Sequence, residues 1–218
     1  MKPRFALLAF VALSCLLAAA LPAAAQQTLY ENGPINGEVD AWTINEGFDI
    51  SDSFTISSGT STVNGLSIGV WLTAGDVLQS VDVTLSSQPL QEGTIYFDGV
   101  VNLVQSGCFV NNFGYDVCTE TGSFNGTPLN SGTYWLTLQN AVSTDGDPVY
   151  WDENSGIGCH SQGCPSQAVN DSLGGTLPSE AFTILGSSQT GSTPEPSSLV
   201  LVASGFLGVV GFLRRKRL

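Results

Sequence analysis

"GLSIGVWLTAGDVLQSVDVTLSS", residues 65–87, decides the class of the fold. Two runs rich in β-branched and apolar residues, Leu66 to Thr73 and Val77 to Ser87, flank the turn signal "TAGD". That pattern reads as strand, turn, strand. In the second run Val81, Val83 and Leu85 fall on one face and Asp82, Thr84 and Ser86 on the other, because side chains alternate across a pleated strand.

The same signal recurs outward from this segment. "FTIS" (54–57), "GTIYFDGVVNLV" (93–104), "GTYWLTLQ" (132–139) and "EAFTILG" (180–186) read as further strands. "SSGTSTVNG" (57–65), "NGTPLNSG" (125–132) and "TDGDP" (144–148) read as the turns between them. No long stretch shows an amphipathic helical period. The expectation is an all-β domain, an antiparallel β-sandwich of jelly-roll type whose two inner faces bury alternate residues. Trp71, Trp135, Leu136 and Leu138 are assigned to its core or rim.

Charge divides the chain. All six Lys and Arg residues lie at Lys2, Arg4 and Arg214 to Arg217, whereas the 19 acidic residues are spread through the middle, giving a net charge of −13. The first 25 residues join a basic start to an apolar run and a small-residue stretch, Ala23 to Ala25, and read as a cleaved signal peptide. Residues 26–186 form one domain of about 160 residues, enough for a sizeable core. Residues 187–193, rich in Ser, Thr and Gly, form a flexible linker. From Ser197 to Leu213 the chain is uncharged and mostly apolar, at the short end of the roughly 17–25 residues that cross a bilayer. The basic block behind it would stay on the cytoplasmic face.

Pro194, Glu195 and Pro196, followed by the apolar segment and the basic tail, resemble the C-terminal sorting signal of bacterial PEP-CTERM proteins. The resemblance covers residues 194–218 and implies a partner, the membrane-embedded exosortase, with processing near the motif. It makes Pro194, Glu195 and Pro196 recognition residues, not catalytic ones. The prolines themselves favour an extended, accessible segment outside the membrane helix. The implied setting is a cytoplasmic-membrane intermediate followed by the cell envelope or the extracellular matrix.

Four cysteines follow the signal. Export favours their oxidation, and the local pairings Cys108 with Cys118 and Cys159 with Cys164 are preferred, although four cysteines permit three complete pairings. His160, the sole histidine, sits inside "CHSQGC". A metal or redox site there is the lesser reading, since oxidation removes the thiolate ligands.

The densest acidic segment is "STDGDPVYWDENSG" (143–156). Its acids are Asp145, Asp147, Asp152 and Glu153, and Asp145, Asp147 and Asp152 lead as calcium candidates, because a hard cation takes carboxylate and carbonyl oxygens, but the EF-hand spacing is missing and a solvated acidic loop is the competing reading. Trp151 is the candidate ligand-stacking aromatic, with core packing as its alternative. No catalytic residue is assigned. Glu92 with Asp98, or Asp152 with Glu153, would serve a glycosidase only if folding set the two carboxylates across a cleft. There is no G-x-S-x-G elbow and no phosphate-cradling loop. The negative charge repels nucleic acid. No cofactor is required. The expected function is a structural or interaction role at the surface, engaging extracellular polysaccharide or another surface protein. The alternative is a dedicated carbohydrate-binding module or, further off, a glycoside-acting enzyme.

Overall fold

The computed structural model describes residues 26–154, 168–170 and 175–188. The signal segment, Cys159, His160, Cys164 and everything from residue 189 onward lie outside the described residues. Those described are all β: β1 (Gln27–Glu31), β2 (Asp40–Thr43), β3 (Asp49–Leu72), β4 (Leu78–Ser86), β5 (Ile95–Val110), β6 (Asp116–Ser143), β7 (Tyr150–Glu153), β8 (Ala168–Asn170), β9 (Gly175–Leu177) and β10 (Phe182–Ser188). Among them no helix is long and apolar enough to cross a membrane.

The pairing is antiparallel and continuous. The main path runs β1-β10-β3-β6-β4-β5, with β7 joining β2 to β3 and β8 joining β9 to β3. The sequence pointed to two separate sheets. The hydrogen bonds instead run through a single curled sheet, because β3 and β6, of 24 and 28 residues, pair along nearly their whole length. The segments 57–65 and 125–132, read above as turns, belong to these strands. Thr60 faces Asn130 and Val63 faces Thr127, with register shifts after Ile56 and after Val63. Gly59, at φ +65°, supplies the left-handed residue that such a bulge uses. Bulges bend and twist a strand, so a turn-like composition here curves the sheet without ending it.

The curl encloses the core. Ile50, Phe54, Leu66, Ile68, Val70, Val83, Leu85, Leu136, Leu138, Phe182 and Ile184 lie inside it. Val81, Val83 and Leu85 are buried as their alternation requires. On the opposite face Thr84 and Ser86 are buried as well. A polar row runs there across the register from Ser51 to Thr137, Thr84 and Asp98. Ser51 and Thr137 share a 2.5 Å hydrogen bond, Thr84 donates to Asp98 at 3.1 Å, and the loop after β4 closes over the row through Leu90 N–H to Ser51 Oγ at 2.7 Å. Buried hydroxyls are thereby paired, as burial demands. At the far end of β5 and β6, Cys108 and Cys118 face each other in register and form the expected disulfide.

Candidate functional site

The feature that sets this molecule apart is a group of carboxylates on inward-facing positions where β3, β7 and the chain entering β10 meet. Strand parity puts them there. Asp52 shares a face with Ile50 and Phe54, Glu153 with Trp151, and Glu180 with Phe182 and Ile184. All three acids are buried, as is Asp152 on the opposite face of β7. No Lys, Arg or His occurs among the described residues. Their charge therefore meets hydrogen-bond donors and other acids, not cations.

Three of the four are well supplied with donors. Asp52 accepts from Asn32 Nδ2 at 3.1 Å, Ser179 Oγ at 3.3 Å and the Glu180 N–H at 2.8 Å. Asn32 also donates to Ser179 Oγ and to the Glu180 carbonyl, and Asn154 Nδ2 donates to the Asn32 carbonyl. Asp152 accepts from Trp71 Nε1 at 2.6 Å and from the N–H groups of Asn36 and Gly37 at 2.9 and 3.0 Å. Gly37 has φ +64°, and a Cβ there would stand 2.7 Å from Val117 Cγ2, so the approach needs glycine. Glu153 Oε2 takes Trp42 Nε1 at 2.9 Å.

Glu180 has no such help. It is fully buried, and both carboxylate oxygens are without a hydrogen-bond partner. Burial first, then the charges of Asp52, Glu153, Asp152 and Asp40, push its pKa well above the usual carboxylate range. Burial also pushes Asp152 and Glu153 up, against the hydrogen bonds each receives. An orphaned acid of the same kind stands in the core at Glu120, on β6, where burial raises its pKa to about 7.

Of the candidates named from sequence, Asp152 and Glu153 fall in this group, and the others lie elsewhere. Asp145 is exposed and Asp147 half-buried on the loop before β7, while Asp152 is buried and engaged by Trp71. Among the described residues no three acids converge as a metal cluster, so Asp145, Asp147 and Asp152 do not assemble. That loop is instead pinned by Asp76, whose Oδ1 takes Thr144 Oγ1 and the Asp145 N–H. Burial works against the Asp76 charge, but hydrogen bonds from Ser143, Thr144, Asp145 and Val77 outweigh it and hold the carboxyl at about 2.

Trp151 is wholly buried, packs 5.7 Å from Phe182 and donates Nε1 to the Ala181 carbonyl. Its partner in β2 is Trp42 and in β3 Val70, so it is a core residue and not a surface platform. Trp71 is buried too, and Trp135 is half-buried. Exposed Phe113 stacks on Trp71 at 5.4 Å, and half-buried Tyr115 bridges Trp71 and Tyr150 at 5.9 and 5.6 Å. For hydrolytic chemistry, Asp152 and Glu153 are adjacent in one strand and face opposite ways, and Glu92 and Asp98 are exposed.

Sequence reading missed Asp52, Glu120 and Glu180. The signal was present: each is an acid at the inward parity of an apolar alternation. It would have counted as evidence only once the inward face was known.

Fold and site together define an all-β acidic domain with internal carboxylates, followed by a C-terminal sorting segment. The PEP-CTERM protein-sorting motif family matches residues 192–217, so the chain carries the C-terminal sorting motif of PEP-CTERM proteins, the signal that exosortase recognises. No curated protein matches the chain.

Proposed function

We propose that this is an exosortase-processed surface or extracellular-matrix protein whose β domain is a structural or interaction module and not an enzyme. The sorting motif at residues 192–217 carries the reading. In this account residues 1–25 direct export and the apolar segment after Pro196 holds the chain in the cytoplasmic membrane. Arg214 to Arg217 stay inside, and exosortase acts near Pro194 to Pro196. The acidic domain then works beyond the membrane. Its tight, hydroxyl-paired interior and its local disulfide suit a module that must persist there.

Replacing Pro194, Glu195 and Pro196 together with alanine tests the assignment in cells of the source bacterium. Loss of mature-size product, with the precursor retained in the membrane, is expected. Normal processing of that variant refutes it.

Carbohydrate binding remains the second reading, now favoured by the aromatic group of Phe113, Tyr115 and Tyr150 around Trp71. Aromatic faces stack on sugars while nearby polar groups fix orientation. Saturable binding to one of a panel of purified bacterial polysaccharides, lost in Phe113→Ala, would establish it. No binding across the panel leaves the structural role.

A further inference from the structure

Asp40, Glu153 and Glu180 lie directly opposite one another across three chain segments. Asp40 faces Glu153 in the β2–β7 pair, and Glu153 faces Glu180 through an isolated antiparallel bridge. Directly opposed residues on antiparallel strands project from the same face. The three carboxyl groups thus form one lateral row, running from exposed Asp40 through buried Glu153 to fully buried Glu180. Like charges in that relation repel, and the described residues hold no basic side chain to offset them.

We propose that this row is a binding site for a hard divalent cation of the size of calcium, with Glu180 as its inner ligand. The two unpartnered oxygens of Glu180 are the decisive observation. A buried acceptor-only group without a donor is costly, and a bound cation removes that cost where no hydrogen bond does. Glu153 contributes the oxygen not used by Trp42, since its Oε2 is taken. In the present rotamers no three acids of the described residues stand close enough to hold one ion. Asp40 is the arm that turns in: it is exposed, and its Oδ1 accepts the adjacent Ala41 N–H at 2.9 Å. Oxygen-only donors select calcium or magnesium over softer metals, and the adjustable geometry favours calcium. Two or three carboxylates completed by water suit the weak extracellular class, with Kd on the order of 10⁻⁴–10⁻³ M. This site is distinct from the Asp145 to Asp147 loop and independent of whatever the domain engages.

The test uses the full-length protein and terbium, then calcium. Trp42, whose Nε1 is 2.9 Å from Glu153 Oε2, serves as the local sensitiser of terbium emission. Saturable emission, displaced by calcium, is expected in the wild type, together with a calcium-dependent rise in Tm. Glu180→Gln should bind terbium at least roughly tenfold more weakly and lose the calcium response. Asp82→Asn, at a distant carboxylate held by Asn140, should keep both. Should Glu180→Gln fail to fold, Asp40→Asn decides the matter, because its exposed side chain weakens binding without disturbing the core. Equal calcium stabilisation in wild type and the site variant would place the ion elsewhere and overturn the proposal. So would a wild-type Tm insensitive to calcium, in which case Glu180 simply keeps its proton.

Discussion

Replacing Glu120 with glutamine should flatten the pH dependence of stability near neutrality. Glu120 is fully buried on β6, opposite Ile68 of β3 and Gln105 of β5, and neither carboxylate oxygen has a partner. The one amide in register turns away, since Gln105 Nε2 donates to Cys108 Sγ at 2.8 Å. Burial raises the carboxyl from 4.5 to about 7. Between those values the native state keeps a proton that the unfolded chain releases, so stability falls as pH rises through the interval and levels off above it. At about 1.4 kcal/mol per pKa unit the loss is about 3.5 kcal/mol, which corresponds to roughly 7–14 °C in Tm for a domain of this size. Guanidinium unfolding of the wild type and Glu120→Gln, in half-unit steps from about pH 4.5 to 8, measures it. The variant should lose most of that slope, whatever its absolute stability, because an unpaired amide still costs something in the same place. The other raised carboxyl groups, Glu180 included, slope the same way in both proteins and cancel in the difference. A variant that retains the wild-type slope would show that Glu120 is ionised at neutral pH, and the burial argument would fail.

Trp151→Ala should destabilise the domain by about 3–5 kcal/mol, since it empties a fully buried site and removes one of the two donors to the Ala181 carbonyl, leaving only the Gly69 N–H. Thermal unfolding measures this, and a neutral outcome would contradict the ring's burial. Opening the Cys108–Cys118 disulfide by Cys108→Ser should cost about 2–3 kcal/mol, the value for so short a loop. The measure is the denaturation midpoint of the variant against the oxidised wild type, and equal midpoints would mean that the crosslink adds nothing to the β5–β6 hairpin.

How much was legible follows from the range of each signal. Alternation is local, and it placed Val81, Val83 and Leu85 inside and identified the strands around "TAGD" correctly. The pairing of Cys108 with Cys118 was equally local, being set by a hairpin. The turn-like stretches at 57–65 and 125–132 misled, because glycine and serine signal a bend whether the chain reverses or the strand merely bulges. What decides is the partner strand, and each of these segments has the other as its partner. Trp151 was read as an acidic-loop aromatic from its neighbours in sequence. Its burial comes from Phe182 and Ala181, thirty residues away, which close over it.

The sequence by itself determined the class of fold, the charge of the domain and the sorting signal, since each is written in composition or in a contiguous motif. Only the tertiary structure decided which carboxylates matter. Asp40, Glu153 and Glu180 are separated by long stretches of chain, and strand register alone aligns them. Register is a property of pairing between distant segments, so no local pattern records it.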